Sequence, residues 1–275
     1  MNRYQQCFQQ LAEKQEQAFI PFVVLGDPTF EDSLAIIDQL VASGADALEL
    51  SIPFSDPLAD GPEIQTAVLR AMDNGMSVAR SFELLKIIRE RHPHIPIGLL
   101  MYANLINAKG LSAFYQACQE AGVDSVLVAD VPLREAKPFV TEARKYNIAP
   151  IFICPPDATD ETIEGIAAQG EGYTYLVSRA GVTGVDQALL SDATDNIARL
   201  KKAGAPPIIQ GFGIATKAQA EHYLALGIEG VISGSAIVKL IRTHYQEEAH
   251  CADLATLLPT LAEFVTSLKS ATKPA

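Results

Sequence analysis

The stretch SGADALEL (residues 43–50) returns as AGVDSVLV (121–128) and again as LGIEGVIS (226–233). Each copy carries a glycine at the end of an amphipathic run, an acidic residue two positions later, and then a short apolar run. Glycine accepts the positive φ of the position just past a helix, so the repeat reads as one helix-to-strand junction used three times. Any single αβ loop also favours glycine, and it is the threefold recurrence that carries weight. Working outward, eight apolar runs appear: FIPFVVL, ALELSI, IPIGLLMY, SVLVADV, APIFICP, YTYLVS, PPIIQGF and GVISGS. Runs that are apolar at consecutive positions suit strands covered on both faces, as in a parallel sheet sandwiched by helices. Between them EDSLAIIDQLVAS, LSAFYQACQEA, REAKPFVTEARKY and KAQAEHYLALG have apolar spacings of three and four, the helical period. The fold class is therefore α/β, and eight strand–helix units with a repeated junction favour a closed (β/α)8 TIM barrel over an open doubly wound sheet. Residues 1–16 read as an extra N-terminal helix, 251–269 as an additional C-terminal helix and 270–275 as a frayed end. No linker-like stretch divides residues 1–275, so a single barrel domain is expected.

The chain has 275 residues, 48% hydrophobic and 20% charged, with 21 Lys+Arg against 33 Asp+Glu and a net charge of −12. Its longest basic run is the pair Lys201-Lys202, and such an acidic chain repels polyanions, so nucleic acid and anionic membrane are poor partners. An anionic substrate must be held by local chemistry. Cys7, Cys118, Cys154 and Cys251 are far apart, form no C-x-x-C and follow an N-terminus without an apolar signal core, which suggests reduced thiols in a cytoplasmic protein. No apolar stretch approaches the length of a membrane span.

In a barrel of this kind the chemistry gathers at the C-terminal ends of the strands. Glu49, between Leu48 and Leu50, is the sharpest anomaly: burying a carboxylate in an apolar strand is costly and raises its pKa toward the range useful for proton transfer. A structural hydrogen bond is the alternative reason for a Glu there. The following loop, SIPFSDPLADGPEI, adds Asp56 and Asp60, each equally compatible with ordinary turn chemistry. After strands seven and eight come Gln210-Gly-Phe-Gly213 and Ser233-Gly-Ser-Ala236, where glycines let backbone N–H groups approach an oxyanion at a helix start. Together they point to a phosphate monoester, bound by backbone donors despite the negative net charge. The segment SRAGVTGVDQALL after strand six, carrying Arg179, is long enough to serve as a lid or to be a plain surface loop. Phe22, Leu100, Tyr102, Leu127, Phe212 and Ile232 can wall an apolar pocket or simply belong to the core.

Absences narrow the mechanism. No lysine ends a strand, which disfavours Schiff-base chemistry. His92 and His94 fall on the opposite rim and His222, His244 and His250 near outer helices, so no metal triad is expected. No Walker, Rossmann or G-x-S-x-G motif is present. Metal-free acid–base catalysis by carboxylates on a phosphorylated, partly apolar substrate remains.

At this point several motifs coincide. PFVVLGDP at Pro21, ALELSIPFSDPLADGP at Ala47, PIGLLMYANL at Pro96, GVDSVLVADVP at Gly122, IAPIFICPP at Ile148, GYTYLVSRAGVTG at Gly172, QGFGI at Gln210 and ISGSAIVK at Ile232 closely resemble the tryptophan synthase α-subunit family over nearly the whole chain. The resemblance implies retro-aldol cleavage of indole-3-glycerol phosphate to indole and glyceraldehyde 3-phosphate. Carried over, Glu49 matches the general acid–base that protonates indole C3 and later takes the glycerol hydroxyl proton, and Asp60 the carboxylate that hydrogen-bonds the indole N–H. Phe22, Leu100, Leu127, Ala129, Ile153, Tyr175, Phe212 and Ile232 match the indole pocket, which Tyr102 also lines. Gly184, Gly213, Gly234 and Ser235 match the phosphate site, and Thr183 the lid residue that orders Asp60.

The family also implies no cofactor in this subunit and a pyridoxal-phosphate-dependent β subunit as partner in an αββα heterotetramer. Pro53, Asp56, Asn104 and Arg179 would then face β or carry the closing signal. Two departures stand out: Ser51 where the family usually carries Gly, beside Glu49, and Ala180 where Ser is common, with 185–190 also divergent. They are expected to alter the surroundings of Glu49 or the lid kinetics. The competing readings are a stand-alone lyase that releases indole without a partner, a catalytically weak activator of β, and another phosphate-binding barrel such as a phosphoribosylanthranilate isomerase.

Overall fold

The computed structural model describes residues 1–177 and 193–274. Eight parallel strands close into a barrel in chain order: β1 Ala18–Val24, β2 Leu48–Ser51, β3 Ile97–Met101, β4 Ser125–Val128, β5 Ala149–Cys154, β6 Thr174–Leu176, β7 Ile208–Gln210 and β8 Gly230–Ser233. Closure runs from Ala18 to Gly230, where β1 pairs with β8. The helices are α1 Arg3–Glu13, α2 Phe30–Ala42, α3 Pro62–Asp73, α4 Val78–Arg91, α5 Ala103–Lys109, α6 Leu111–Glu120, α7 Lys137–Lys145, α8 Asp160–Gln169, α9 Thr194–Ala203, α10 Lys217–Leu224, α11 Ser235–Thr243 and α12 Leu254–Ala271. The closed alternative is thus the one the chain adopts. No helix among the described residues is long and apolar enough to cross a membrane.

The threefold repeat has a geometric reason. Gly44, Gly122 and Gly227 adopt φ of 108°, 72° and 81°, the conformation that favours glycine. The acid two residues on then accepts a backbone N–H from the first or second residue of the preceding strand. Asp46 takes that of Phe19 at 2.7 Å, Asp124 that of Ile97 at 2.8 Å and Glu229 that of Ile208 at 2.7 Å. Each acid therefore pairs a strand-end donor that would otherwise lack a partner, and pins neighbouring strands in register.

Helix α1 starts with a capping box at Asn2 and Gln5 and covers the N-terminal end of the barrel. Its Tyr4 reaches inside, with the hydroxyl 2.9 Å from Ser125 Oγ and the ring 5.6 Å from that of Tyr173. That end of the barrel is closed, so ligands enter from the C-terminal mouth.

Three boundaries differ from the sequence reading. The run from Arg134 does not form one helix: a 3₁₀ turn at Leu133–Glu135 precedes α7, because Pro138, lacking an N–H, sits in the first turn of that helix. Cys251–Ala252 is not helical but pairs antiparallel with β9 Tyr245–Gln246 as β10, and Ala252 N–H is held by Asp32 at 2.8 Å. The end of the chain is helical to Ala271 rather than frayed from 270. Lys269 Nζ contacts Asp46 at 2.8 Å and Glu16 at 3.3 Å, and the Thr272 carbonyl accepts the Gln17 N–H at 2.8 Å.

Candidate active site

Glu49 lies on β2 with Phe22 of β1 and Gly98 of β3 as its register partners, and its side chain is 2% exposed. Register partners in parallel strands share a face, and Phe22 and Glu49 both face the pocket at the barrel mouth. Oε1 accepts a 2.6 Å hydrogen bond from the Tyr173 hydroxyl, while Oε2 has no hydrogen-bond partner among the described residues. Burial pushes the Glu49 carboxyl up to about 7, and the hydrogen bond from Tyr173 only partly offsets it. Tyr173 in turn is held well above the ordinary phenol value by burial and by the neighbouring carboxyl, so it acts as a fixed neutral donor.

Asp60 ends the loop after β2, just before Gly61 and Pro62 open α3. It is 5% exposed, and burial pushes its carboxyl up to about 6 against the lowering effect of its hydrogen bond with Tyr102. The Tyr102 hydroxyl also accepts the Ala59 N–H at 3.2 Å, and its ring lies 5.6 Å from that of Phe54, so the loop is tied to the end of β3.

One pocket brings together Phe22, Glu49, Asp60, Leu100, Tyr175, Phe212, Gly213, Ile232, Gly234 and Ser235, all named from the sequence, with Ile64, Gly211, Ile214 and Ala236 in addition. Its lining combines apolar side chains, the two carboxyl groups of Glu49 and Asp60, and the glycine-containing turns at Gly211–Gly213 and Gly234. Gly213 has φ of 82° with open space where a Cβ would sit, whereas a Cβ on Gly211 would lie 2.0 Å from the Tyr175 ring. The two glycines therefore answer to different constraints, backbone conformation and close approach. Gly234 precedes the first turn of α11, whose N–H groups open toward the pocket with the favourable end of the helix dipole.

Other residues fall elsewhere. Leu127 is buried beside Leu100 in the barrel register and does not line this pocket. Ala129 and Ile153 border a separate cleft with Pro132 and Phe139, although Ile153 is the register partner of Tyr175. Pro53 is buried, and Asp56 and Asn104 are exposed in segments that follow β2 and β3 at the mouth. Arg179, Ala180, Thr183, Gly184 and 185–190 lie outside the described residues. Tyr173 was missed in the sequence, where the alternation Tyr173-Thr-Tyr175 was the available signal: residues two apart on a strand share a face. Ile64 gave no signal beyond belonging to the first turn of α3.

A closed α/β barrel with a buried high-pKa carboxyl, a second carboxyl in the same apolar pocket and a backbone cradle for an anion defines an acid–base enzyme acting on a phosphorylated substrate. Residues 8–268 match the model of the family described as tryptophan synthase alpha chain, and the chain is 54% identical over 273 residues to the tryptophan synthase alpha chain of Shigella sonnei, covering 99% of this chain and 100% of that one. The chain belongs to the tryptophan synthase alpha chain family, lyase subunits that cleave indole-3-glycerol phosphate. Among solved structures it is similar to tryptophan synthase subunit alpha from Legionella pneumophila, with a TM-score of 0.87 at 30% identity over 99% of this chain and 98% of that one. It is also similar to a chain of the tryptophan synthase α2β2 complex from Pyrococcus furiosus, with a TM-score of 0.82 at 34% identity over 93% and 99%.

Proposed function

We propose that this chain cleaves indole-3-glycerol phosphate to indole and glyceraldehyde 3-phosphate, with Glu49 moving the protons and Asp60 stabilising the cation. Protonated Glu49 gives its proton to indole C3. The ring becomes an indolenine cation whose N–H donates to the Asp60 carboxylate, and the charge on Asp60 opposes the positive charge of the ring. The Glu49 carboxylate then takes the proton of the hydroxyl on the carbon attached to C3. That carbon becomes the aldehyde, the bond to C3 breaks, and its electron pair returns to the ring to give neutral indole. Protonated indole is the electron sink, so this step requires neither a Schiff base nor a cofactor in this chain.

The observation that carries the reading is the pairing of two unequal carboxyls in one pocket, Glu49 raised to about 7 and Asp60 to about 6. At neutral pH a large share of Glu49 holds a proton while Asp60 is mostly ionised, which is the division of labour the reaction needs. Gly213, Gly234 and Ser235 supply the phosphate cradle. Phe22, Leu100, Tyr175, Phe212 and Ile232 supply the indole slot.

The proposed partner is a pyridoxal-phosphate-dependent β subunit that takes up the indole, in keeping with the α2β2 complex of the Pyrococcus furiosus relative. The exposed Asp56, Leu58 and Asn104 at the barrel mouth offer it a surface, with Leu58 80% exposed. The protein is proposed to act in the cytoplasm. The test is product analysis: indole and glyceraldehyde 3-phosphate in equal amounts from the purified chain, faster with added β subunit. Cleavage indifferent to β would favour a stand-alone lyase, and absence of cleavage in both conditions would reject the assignment.

A further inference from the structure

Two polar atoms on the same face of β2 are buried without a hydrogen-bond partner among the described residues: Glu49 Oε2 and Ser51 Oγ. Buried side-chain donors and acceptors are paired in the large majority of cases, so an orphan pair two residues apart calls for a reason. Residues i and i+2 of a strand share a face, so Ser51 points into the barrel as Glu49 does and lies about 6.6 Å nearer the mouth. Its register partners are Val24 and Leu100, whose side chains offer no polar atom, and Ser51 is 6% exposed. Among the described residues, neither register partner pairs with its hydroxyl, and little of the residue reaches bulk water. Tyr173, the present partner of Glu49, lies on the other side, toward the closed end where Tyr4 packs on it.

We propose that Ser51 is a positioning residue for the acid–base carboxyl: its hydroxyl donates to the second oxygen of Glu49 when the side chain rotates from Tyr173 toward a substrate entering from the mouth. The inference rests on the proposed role of Glu49. It gives the carboxyl two stations, one at Tyr173 and one at Ser51, and the second brings it to the level of Leu100, which lines the indole slot. A charge-assisted bond from a hydroxyl favours the carboxylate over the acid, so Ser51 steadies Glu49 after it has given up its proton and must take the next one.

Among the described residues, the titratable groups facing Glu49 from the surrounding elements are Tyr4 of α1, Tyr173 and Tyr175 at β6, and Asp60 in the same pocket. The three tyrosines are held above their ordinary values and stay neutral through the working range, so among these described groups Asp60 is the one that titrates in the same range as Glu49.

The test is Ser51→Ala, which removes the hydroxyl and little volume, with Ser51→Gly as a second variant and thermal unfolding to confirm that each is folded. Two readouts are needed. The first is the protonated-carboxyl C=O stretch of the ligand-free and glycerol-phosphate-bound protein followed against pH, assigned to Glu49 by its loss in Glu49→Gln. With glycerol phosphate bound, Ser51→Ala is expected to move this titration up by about one pH unit, the worth of one hydrogen bond to the charged form. The second is steady-state cleavage, in which kcat is expected to fall about tenfold with KM within twofold of the parent.

A Glu49 titration that does not move in either variant overturns the proposal even if cleavage is slower. A change confined to KM overturns it in favour of a direct Ser51 contact with substrate. If the unsubstituted protein does not cleave the substrate at all, the proposed function fails, and the carboxyl titration still decides whether Ser51 and Glu49 interact.

Discussion

The Tyr173 hydroxyl donates a 2.6 Å hydrogen bond to Oε1 of Glu49, and both side chains are sealed inside the barrel. Two opposed effects therefore act on one carboxyl. Burial raises it, the hydrogen bond lowers it, and burial wins. Tyr173→Phe removes the lowering effect alone, so the Glu49 carboxyl is expected to rise by about another unit. The alkaline limb of the pH–rate profile should move up accordingly, with KM little changed. An unmoved limb would mean that the hydrogen bond is replaced by water.

The unequal carboxyls set the shape of that profile. Glu49 must hold its proton to protonate C3, so activity is lost as pH rises through about 7. Asp60 must be ionised to stabilise the cation, so activity is lost as pH falls through about 6. The profile of kcat/KM is expected to be a narrow bell between these values, since that parameter reports the groups of the free enzyme. Asp60→Asn should flatten the acid limb and leave the alkaline one in place.

Stability should depend on pH through the same residue. A carboxyl whose folded value lies above its unfolded one contributes fully below the unfolded pKa, near 4.5, and loses that contribution as pH rises through about 7. Glu49→Gln keeps the acceptor for Tyr173 and carries no charge, so it is expected to be the more stable protein at pH 8, by at most about 3 kcal/mol. The difference should vanish below pH 4.5. Urea unfolding at the two pH values measures both.

Gly213 offers a separate test of the anion cradle. Its φ of 82° is unfavourable for any side chain, yet space for a Cβ is free, so Gly213→Ala strains the turn without a clash. We expect KM for the phosphorylated substrate to rise about tenfold, in proportion to roughly 1–2 kcal/mol of distorted backbone. Inorganic phosphate should lose potency as an inhibitor to the same degree.

Much of this was legible in the chain. Gly44, Gly122 and Gly227 announced the junctions, and Glu49 stood out because apolar strands rarely carry a lone carboxylate. The reason for the acids at Asp46, Asp124 and Glu229 was not legible, because each bonds the preceding strand, a relation that exists only after closure. Tyr173 was hidden for a similar reason: an aromatic in a strand reads as core, and its hydroxyl found a partner 124 positions away. Ala129 and Ile153 show the reverse, since position at a strand end did not decide which cleft they border. At the C-terminus, Lys269 bonds Asp46 and Glu16 from distant parts of the chain, and no local composition revealed that the last turns would be held.

The most direct measurement is the rate of indole release from saturating indole-3-glycerol phosphate by the parent chain and by Glu49→Gln, each with β subunit present. The chain contains no tryptophan, so in a separate titration of the chain alone, indole emission excited beyond the tyrosine band reports substrate binding without tryptophan background. Glu49→Gln is expected to bind the substrate within about threefold of the parent and to release indole at least about a hundredfold more slowly, the span typical of a lost general acid–base. Release by Glu49→Gln at close to the parent rate would contradict the assignment of proton transfer to Glu49.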